Sequence, residues 1–109
     1  MTTQELAKEL NLTTFALPEP DRRVEGVYCG DLLSWVMGRA PGDSVWVTIM
    51  SNLNILAVAT LCDVSCILLA EGVCPDDGVA QQAIARGINV LGTAKPAAQA
   101  VLDVAPLAK

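Results

Sequence analysis

The apolar positions of this chain fall into two kinds of run, and their order predicts the architecture. Residues 45–49 (VWVTI) and 66–69 (CILL) are almost continuously apolar, which is typical of strands in a parallel sheet covered on both faces. Between these runs, apolar residues recur at helical spacing and polar turns separate the segments. The pattern predicts strands at 24–29, 45–49, 66–69 and 89–91, and helices at 3–10, 32–38, 55–61, 79–85 and 94–104.

Capping and turn residues mark the ends of these segments. Thr3, Asp31 and Thr93 are suited to cap the helices that follow them, and the run Pro75-Asp76-Asp77 is a start signal for the helix at 79–85. Residues 13–23 (TTFALPEPDRR) contain two prolines and a charged cluster, which predict an extended surface connection. The strand at 24–29 follows this connection, and we place it at an edge of the sheet.

Strands that alternate with helices along a chain build right-handed βαβ units. We therefore predict a three-layer α/β/α sandwich with a mostly parallel sheet. The loops after the strands at 45–49, 66–69 and 89–91 would then lie side by side along one edge, here called the rim, where open α/β sheets bind ligands. The candidate ligand-binding residues on the rim are Ser51, Asn52, Asn54, Glu71, Gly72 and Thr93.

Most of these rim residues also have a structural interpretation. Ser51, Asn52 and Asn54 are suited to donate to a ligand, and equally suited to close a loop and cap a helix. Glu71 would recognise a donor such as an amine, an amide or a ribose hydroxyl, or would be a solvated acid. Gly72 fits a turn. Helix N-termini that meet on the rim favour an anion such as a phosphate, whereas Glu71 works against a highly charged one.

Composition narrows the classes of function. Apolar residues make up 52% of the 109 and charged residues 17%, so we expect another copy or a partner to cover part of the apolar surface. The net charge of −5 repels phosphate backbones, so nucleic-acid binding is not expected. No apolar run is long enough for a membrane span, and we see no export signal, so we expect a cytoplasmic protein with reduced cysteines.

Catalytic chemistry has little support in the sequence. The chain has no histidine, the usual general base near neutral pH, and no Ser or Cys has an evident activating partner, so we expect no enzymatic activity. Cys62 and Cys66 are expected to behave as small buried apolar residues, and we predict no metal and no cofactor. Cys74 lies in a polar loop and is the one thiol expected to react, which leaves a redox-sensor role open.

Two residues outside the rim are candidates for an interface. Trp35 lies on a predicted helix rich in Leu and Met and is suited to pack across a dimer. Arg22 belongs to a charged cluster with Asp21 and Arg23. We interpret that cluster either as an interface element between subunits or as a solvated turn.

Three stretches carry a family resemblance: DRRVEGVYCGDLLSWVMGRAPGDSVWVTI, NILAVATLCDVSCILLAEGVCPDD and GINVLGTAKPAAQAV. In the order of their features they resemble the DRTGG domain family, whose fold is similar to the N-terminal domain of HPr kinase/phosphorylase. The resemblance implies a homodimeric α/β sandwich, alone or joined to other domains such as paired CBS domains. At the namesake motif the chain has Ala70-Glu71-Gly72 in place of Thr-Gly-Gly, and Ser51-Asn52 replaces an acidic-basic pair. No P-loop is present, so the resemblance implies no kinase activity.

These observations predict one domain over residues 1–109, with an N-terminal helix and connection at 1–23 and an α/β core at 24–104. We expect a non-catalytic regulatory or ligand-sensing module, a homodimer that binds a small metabolite or nucleotide at the rim. The alternative is a protein-interaction subunit of a larger metabolic, redox or signalling complex, which would bind a partner enzyme and no small-molecule ligand.

Overall fold

Ten helices and strands form within residues 1–108, the part of the chain that the computed structural model describes. The strands are β1 (Thr13–Ala16), β2 (Gly26–Cys29), β3 (Ser44–Thr48), β4 (Cys66–Leu69) and β5 (Val90–Gly92). The helices are α1 (Thr3–Glu9), α2 (Leu33–Arg39), α3 (Asn54–Cys62), α4 (Val79–Arg86) and α5 (Ala97–Val104). Every predicted helix and strand is present, with small changes at the ends. Over residues 1–108, no helix has the length and apolar character that crossing a membrane requires.

All five strands belong to one sheet, in the order β1-β5-β4-β3-β2. Strands β2 to β5 run parallel, and β1 runs antiparallel to β5 at one edge. Helices α2, α3 and α4 pack on one face of the sheet, and α1 and α5 pack on the other. The predicted three-layer sandwich with a mostly parallel sheet is therefore confirmed, and β2 lies at an edge as expected.

The central strands are buried on both faces, as their continuous apolar runs predict. Every residue of β3 and β4 is buried. Side chains alternate between the faces, so Trp46 and Ile67 enter the core with α3, whereas Val47 and Leu68 enter the core with α1 and α5. Burying one such large aliphatic side chain stabilises the fold by about 1.5–3 kcal/mol, so these two cores fix the strands and the loops that follow them.

The predicted surface connection contains a strand, β1, and the prediction is wrong at that point. Thr13 pairs with Gly92 of β5, and the register shifts between Thr14 and Ala16, which places Phe15 at an irregularity of the pairing. Ala16 is only 2% exposed. The two threonines of this short edge strand are exposed, Phe15 is half-buried against the core and only Ala16 is fully buried, so the strand lacks a continuous apolar run.

The predicted cap of the first helix is displaced by one residue. Thr2 Oγ1 accepts a hydrogen bond from Glu5 N at 3.1 Å, and Glu5 Oε1 accepts one from Thr2 N at 2.8 Å, which completes a reciprocal capping box. Thr3 already has helical backbone geometry, and its hydroxyl donates to the Arg22 carbonyl oxygen at 2.7 Å. The residue predicted as the cap therefore attaches α1 to the connection instead.

Asp31 does not cap α2, which corrects a second prediction. Leu32 occupies the N-cap position and offers no side-chain hydrogen bond. Asp31 Oδ1 accepts instead from Thr48 Oγ1 at 2.7 Å and from Ile49 N at 3.0 Å. The carboxylate thus joins the end of β2 to the end of β3.

The helix α4 begins at Val79 as predicted, whereas α5 begins at Ala97, later than the predicted start at residue 94. Pro75, Asp76 and Asp77 remain in the loop, and α4 begins after Gly78, whose φ is +85°. Pro96 occupies the N-cap position of α5. Thr93 lies before this position in a turn, where its hydroxyl oxygen accepts from Lys95 N at 3.3 Å.

Candidate functional site

The carboxyl ends of the parallel strands meet at one edge, as the sequence predicts for the rim. Thr48 pairs with Leu69, and Leu69 pairs with Gly92, so the ends of β3, β4 and β5 are in line. The loops at 49–53 and 70–78 and the turn at 93–96 follow these strands directly. The alignment of these loops, on which any rim site depends, is therefore confirmed.

Hydrogen bonds join the rim loops to each other. Ser51 Oγ donates to Asp76 Oδ1 at 2.8 Å, and Asp76 N donates to the Ser51 carbonyl oxygen at 3.0 Å. Gly72 N donates to the Thr93 carbonyl oxygen at 2.9 Å. The three loops consequently present one continuous surface rather than three separate ones.

Asn52 and Asn54 serve local structure at the start of α3. Asn52 Oδ1 accepts a hydrogen bond from Asn54 N at 2.9 Å, and Asn54 is the first residue of the helix. This is the loop-closing interpretation that the sequence offered beside ligand binding. A role for either side chain in binding a ligand stays a prediction.

Glu71 caps a helix from an unfavourable backbone conformation. Its φ is +61°, in the left-handed region that non-glycine residues seldom adopt. Its Oε2 accepts from Ala97 N in the first turn of α5 at 3.0 Å, and its own N–H donates to the Lys95 carbonyl oxygen at 2.9 Å. Glu71 therefore performs the capping role that the sequence assigned to Thr93.

An open cleft lies on the rim beside β1 and the start of α4. It consists of two adjoining halves with volumes of about 180 and 260 Å³, and Phe15 and Cys74 line both. We call this feature the rim cleft. Of the predicted ligand-binding residues, Gly72 and Thr93 line it. The other four, Ser51, Asn52, Asn54 and Glu71, lie on the rim outside its lining.

Phe15 forms a wall of the rim cleft, and the sequence interpretation missed it. Its ring lies so close to Gly92 that a Cβ atom at residue 92 would stand 2.5 Å from Phe15 Cε2. A glycine at this position therefore allows the ring to lie over β5. The signal was present in the sequence, because Phe15 is the chain's single phenylalanine and follows two β-favouring threonines.

The charge of the rim cleft is negative. Asp76 and Asp77 line its larger half, and among the residues that the structure describes no Lys or Arg lines either half. Lys95 follows the cleft residue Ala94 in the chain, but its Nζ is paired with Asp103 Oδ2 at 2.9 Å. Nothing in the lining neutralises the two carboxylates.

The cysteines differ in their surroundings. Cys66 is fully buried in β4, and burial raises the pKa of its thiol to about 12. Burial also raises the pKa of the half-buried Cys62. Cys74 is exposed and lines the rim cleft. Within residues 1–108, no group of three or more Cys, Asp or Glu side chains is placed to hold a metal ion.

Arg22 lies at the opposite edge of the sheet, which we call the base and define as the amino-terminal ends of β2 to β5 with the loops before them. Its Nη2 lies 2.9 Å from Asp43 Oδ1 and 3.0 Å from Asp63 Oδ1, and it donates to the Asp63 carbonyl oxygen at 2.6 Å. The side chain is 29% exposed, so the solvated-turn interpretation is wrong for Arg22. Its role between subunits stays a prediction.

Trp35 is exposed at the start of α2, with other apolar side chains near it. Its exposed fraction is 56%, and the Arg39 guanidinium stacks 3.8 Å from the centre of its ring. Leu32 is 58% and Ile49 43% exposed, and the hydrogen bond from Ile49 N to Asp31 holds their two segments together. We call Leu32, Trp35, Arg39 and Ile49 the α2 surface.

The sheet order and the helix layers define the class of fold, an α/β/α sandwich with a mostly parallel sheet, and a solved structure supports a DRTGG-related fold. It is the crystal structure of the CBS and DRTGG domains of the regulatory region of Clostridium perfringens pyrophosphatase, complexed with its activator, diadenosine tetraphosphate. The TM-score is 0.62 at 12% sequence identity, over 92% of this chain and 45% of that chain. This chain thus spans less than half of that structure, and the similarity is one of fold.

Comparison of the sequence with known families and curated proteins found no match. No family model matches the chain, and no curated protein matches it.

Proposed function

We propose that this chain is a cytoplasmic, non-catalytic regulatory module that binds a small metabolite or nucleotide in the rim cleft and acts as a homodimer. The observation that carries the proposal is the rim cleft itself. It lies at the carboxyl edge of a parallel sheet, which is the usual place for a ligand in open α/β folds. Its lining combines an aromatic wall with a few polar groups, as ligand sites commonly do.

The structural comparison supports the regulatory part of this proposal. The similar structure belongs to the regulatory region of an enzyme and was solved with an activator bound. A module of this kind changes the activity of a partner enzyme by binding a ligand. The rim cleft offers hydroxyl, carboxylate, backbone and aromatic contacts for such a ligand, and the hydrogen bonds between the rim loops hold these groups in place.

Ligand-dependent stabilisation tests the binding proposal. A ligand at 100 times its Kd raises the free energy of unfolding by about 2.7 kcal/mol, which a thermal melt detects. We expect compounds from a panel of metabolites and nucleotides to raise the Tm of the wild-type protein. We expect Gly92→Ala to remove that rise, because the new Cβ displaces the Phe15 ring from the cleft wall.

Gly38→Ala is the matched control for this experiment. Gly38 lies in α2, and a Cβ added there meets no atom within 4 Å. Its ligand response should equal that of the wild type. Phe15→Leu provides a second test should Gly92→Ala fold poorly, since it keeps an apolar residue and removes the ring. A panel that leaves the wild-type Tm unchanged, or a response that survives both cleft variants, contradicts the proposal.

The α2 surface supports the homodimer. Trp and Arg are enriched at the energetic centres of interfaces, and Trp35 and Arg39 are already stacked in the single chain. The surface lies beside β2, an edge strand whose outer side has no partner strand in the sheet. A second copy would cover this apolar surface.

Sedimentation velocity tests the homodimer. We expect the wild type to sediment as a dimer and Trp35→Glu as a monomer, because the charge cannot be buried at an interface without a partner. Leu102→Glu is the control, since Leu102 is 66% exposed on α5, which packs on the other face of the sheet. A wild-type monomer, or a Trp35→Glu dimer, contradicts the homodimer. A monomer that also binds no ligand favours the second candidate, a protein-interaction subunit that uses the α2 surface.

A further inference from the structure

We propose that the rim cleft is selective for an aromatic or heteroaromatic ligand that carries an amine, with its ring on Phe15 and its amine directed to Asp77. This inference rests on the proposed function and narrows its ligand class. The cleft should bind ring compounds that carry an amine more tightly than ring compounds that carry a phosphate or a carboxylate. This selectivity depends on the aromatic wall, the charge of the larger half and the start of α4.

The first step is the aromatic wall. The Phe15 ring lies against Gly92 and lines both halves of the cleft, so a ligand in either half meets it. Val73 adds an apolar contact in the smaller half. A flat ring that stacks on an aromatic side chain gains more than its buried area alone provides. The wall therefore favours a planar ring over an aliphatic chain.

The second step is the charge of the larger half. Asp76 and Asp77 both line it, and no Lys or Arg among residues 1–108 does. Asp76 Oδ1 already accepts a hydrogen bond from Ser51, whereas Asp77 makes no hydrogen bond or ion pair with a described residue. Asp77 thus remains free to accept from an amine. Without a basic residue, a phosphate in this half would face two carboxylates without compensation.

The third step considers the effect of the start of α4, which lies beside the larger half of the cleft. The first turn of α4 borders the larger half through Ala80 and Gln81, and a helix start carries roughly half a positive charge, which favours an anion. Asp76 and Asp77 precede this helix start in the chain, and the formal charge of a carboxylate, −1, is larger than the partial charge of the helix. The two carboxylates therefore outweigh the helix, and the local preference is for a cation or a neutral donor.

Matched ligand pairs test the selectivity directly. Tryptamine and indole-3-acetate share a ring and differ in the sign of their charge, and adenosine and AMP differ by a phosphate. Isothermal titration and ligand-observed NMR give the Kd of each. We expect tryptamine to bind at least about twofold more tightly than indole-3-acetate, and adenosine more tightly than AMP, because a close ion pair at an exposed site changes affinity by about 1.4- to fivefold in each direction.

Variants assign this selectivity to residues. Phe15→Leu should weaken tryptamine binding by about three- to tenfold while keeping its preference over indole-3-acetate. Asp77→Asn should reduce that preference towards unity. Asp21→Asn changes the net charge by the same amount at an exposed position outside the cleft lining, and should leave the preference unchanged. Circular dichroism verifies that each variant is folded.

The outcomes separate this inference from the proposed function. Tighter binding of AMP or indole-3-acetate overturns the inference and leaves a ligand-binding rim cleft intact. The same holds where none of the four compounds binds but another panel member gives a Tm rise that Gly92→Ala abolishes. An equal loss of preference in Asp77→Asn and Asp21→Asn also overturns it, because the selectivity would then come from net charge. No binding of any compound by the wild type contradicts both proposals.

Discussion

The base and the rim of the sheet contain similar polar residues that are used in opposite ways. At the base, Asn89 makes three hydrogen bonds across the chain and Arg22 makes two ion pairs. At the rim, the Asp77 carboxylate borders an open cleft and has no partner among the described residues. The base thus binds these polar groups internally, whereas the rim leaves the Asp77 carboxylate accessible.

This difference agrees with the proposed function, in which the base serves stability and the rim serves ligand binding. The base holds residues 17–23 against the amino ends of the strands through Asn89 and Arg22. A cavity of about 120 Å³ also lies there, but two of its lining side chains, Arg22 and Asp63, are paired with each other. In the rim cleft, by contrast, no Lys or Arg among the described lining residues pairs with the carboxylates of Asp76 and Asp77. Residues conserved for folding are therefore expected at the base, and residues that contact a ligand at the rim.

The largest effect should come from Asn89→Ala at the base. Asn89 is 2% exposed, and its amide exchanges hydrogen bonds of 2.9 and 2.7 Å with the Glu19 backbone and donates to the Ser65 carbonyl oxygen at 3.0 Å. Its removal leaves backbone groups without partners. We expect a loss of about 3 kcal/mol in the free energy of unfolding, measured by urea denaturation.

Asn52→Ala supplies the comparison at the rim. Asn52 is half-buried, and its side chain accepts one hydrogen bond, from Asn54 N at the start of α3. We expect a loss of about 0.5–1 kcal/mol, as for removal of a typical helix-start residue. Equal losses in the two asparagine variants would break the contrast between base and rim.

Arg22→Met should have an intermediate effect. Its guanidinium joins two acidic loops and a carbonyl group, but a partly exposed ion pair is screened by solvent. We expect a loss of about 1 kcal/mol, and a smaller difference from wild type in high salt. Lys95→Met at the rim removes the exposed pair with Asp103 and should leave the Tm unchanged within error. An equal shift in Tm in both variants would show that the ion pairs of Arg22 at the base contribute no more to stability than the Lys95–Asp103 pair at the rim.

The core of this fold could be predicted because its determinants are local. The short sequence runs of β3 and β4 are almost continuously apolar, and both strands are buried throughout. Short apolar runs of this kind between helices are typical of strands in a parallel sheet. The edge strand β1 could not be predicted in the same way. The strand β1 forms by pairing with β5, which is far along the chain. Gly92 of β5 leaves room for the Phe15 ring.

The candidate site was predictable in position but only partly in residues. The order of strands and helices places the loops along one rim, and Gly72 and Thr93 line its cleft, whereas ligand binding by any of the six residues stays a prediction. The cap at α5 was assigned to Thr93, whereas Glu71 reaches it from the neighbouring loop. A contact between two loops depends on the distance in space between the strands that precede them. The spacing of residues along the chain does not give this distance.

Glu71→Gly should have a small net effect, because it separates two opposing contributions at the rim. The substitution removes the hydrogen bond to Ala97 N but also releases the left-handed backbone of a non-glycine residue. Each contribution is about 1 kcal/mol, so we expect the free energy of unfolding to change by less than about 0.5 kcal/mol. Glu71→Ala loses the cap and keeps the strain, and should be less stable than wild type by about 1 kcal/mol.

Because Glu71→Gly should fold as well as wild type, it also tests the predicted ligand role of this side chain without a loss of stability. Unchanged ligand affinity in this variant would leave Glu71 a capping residue and confine binding to the cleft lining. Weaker binding would extend the site along the rim to α5. A Glu71→Gly variant as unstable as Glu71→Ala would mean that the backbone at residue 71 is not strained, and that the rim, like the base, uses its carboxylate for stability.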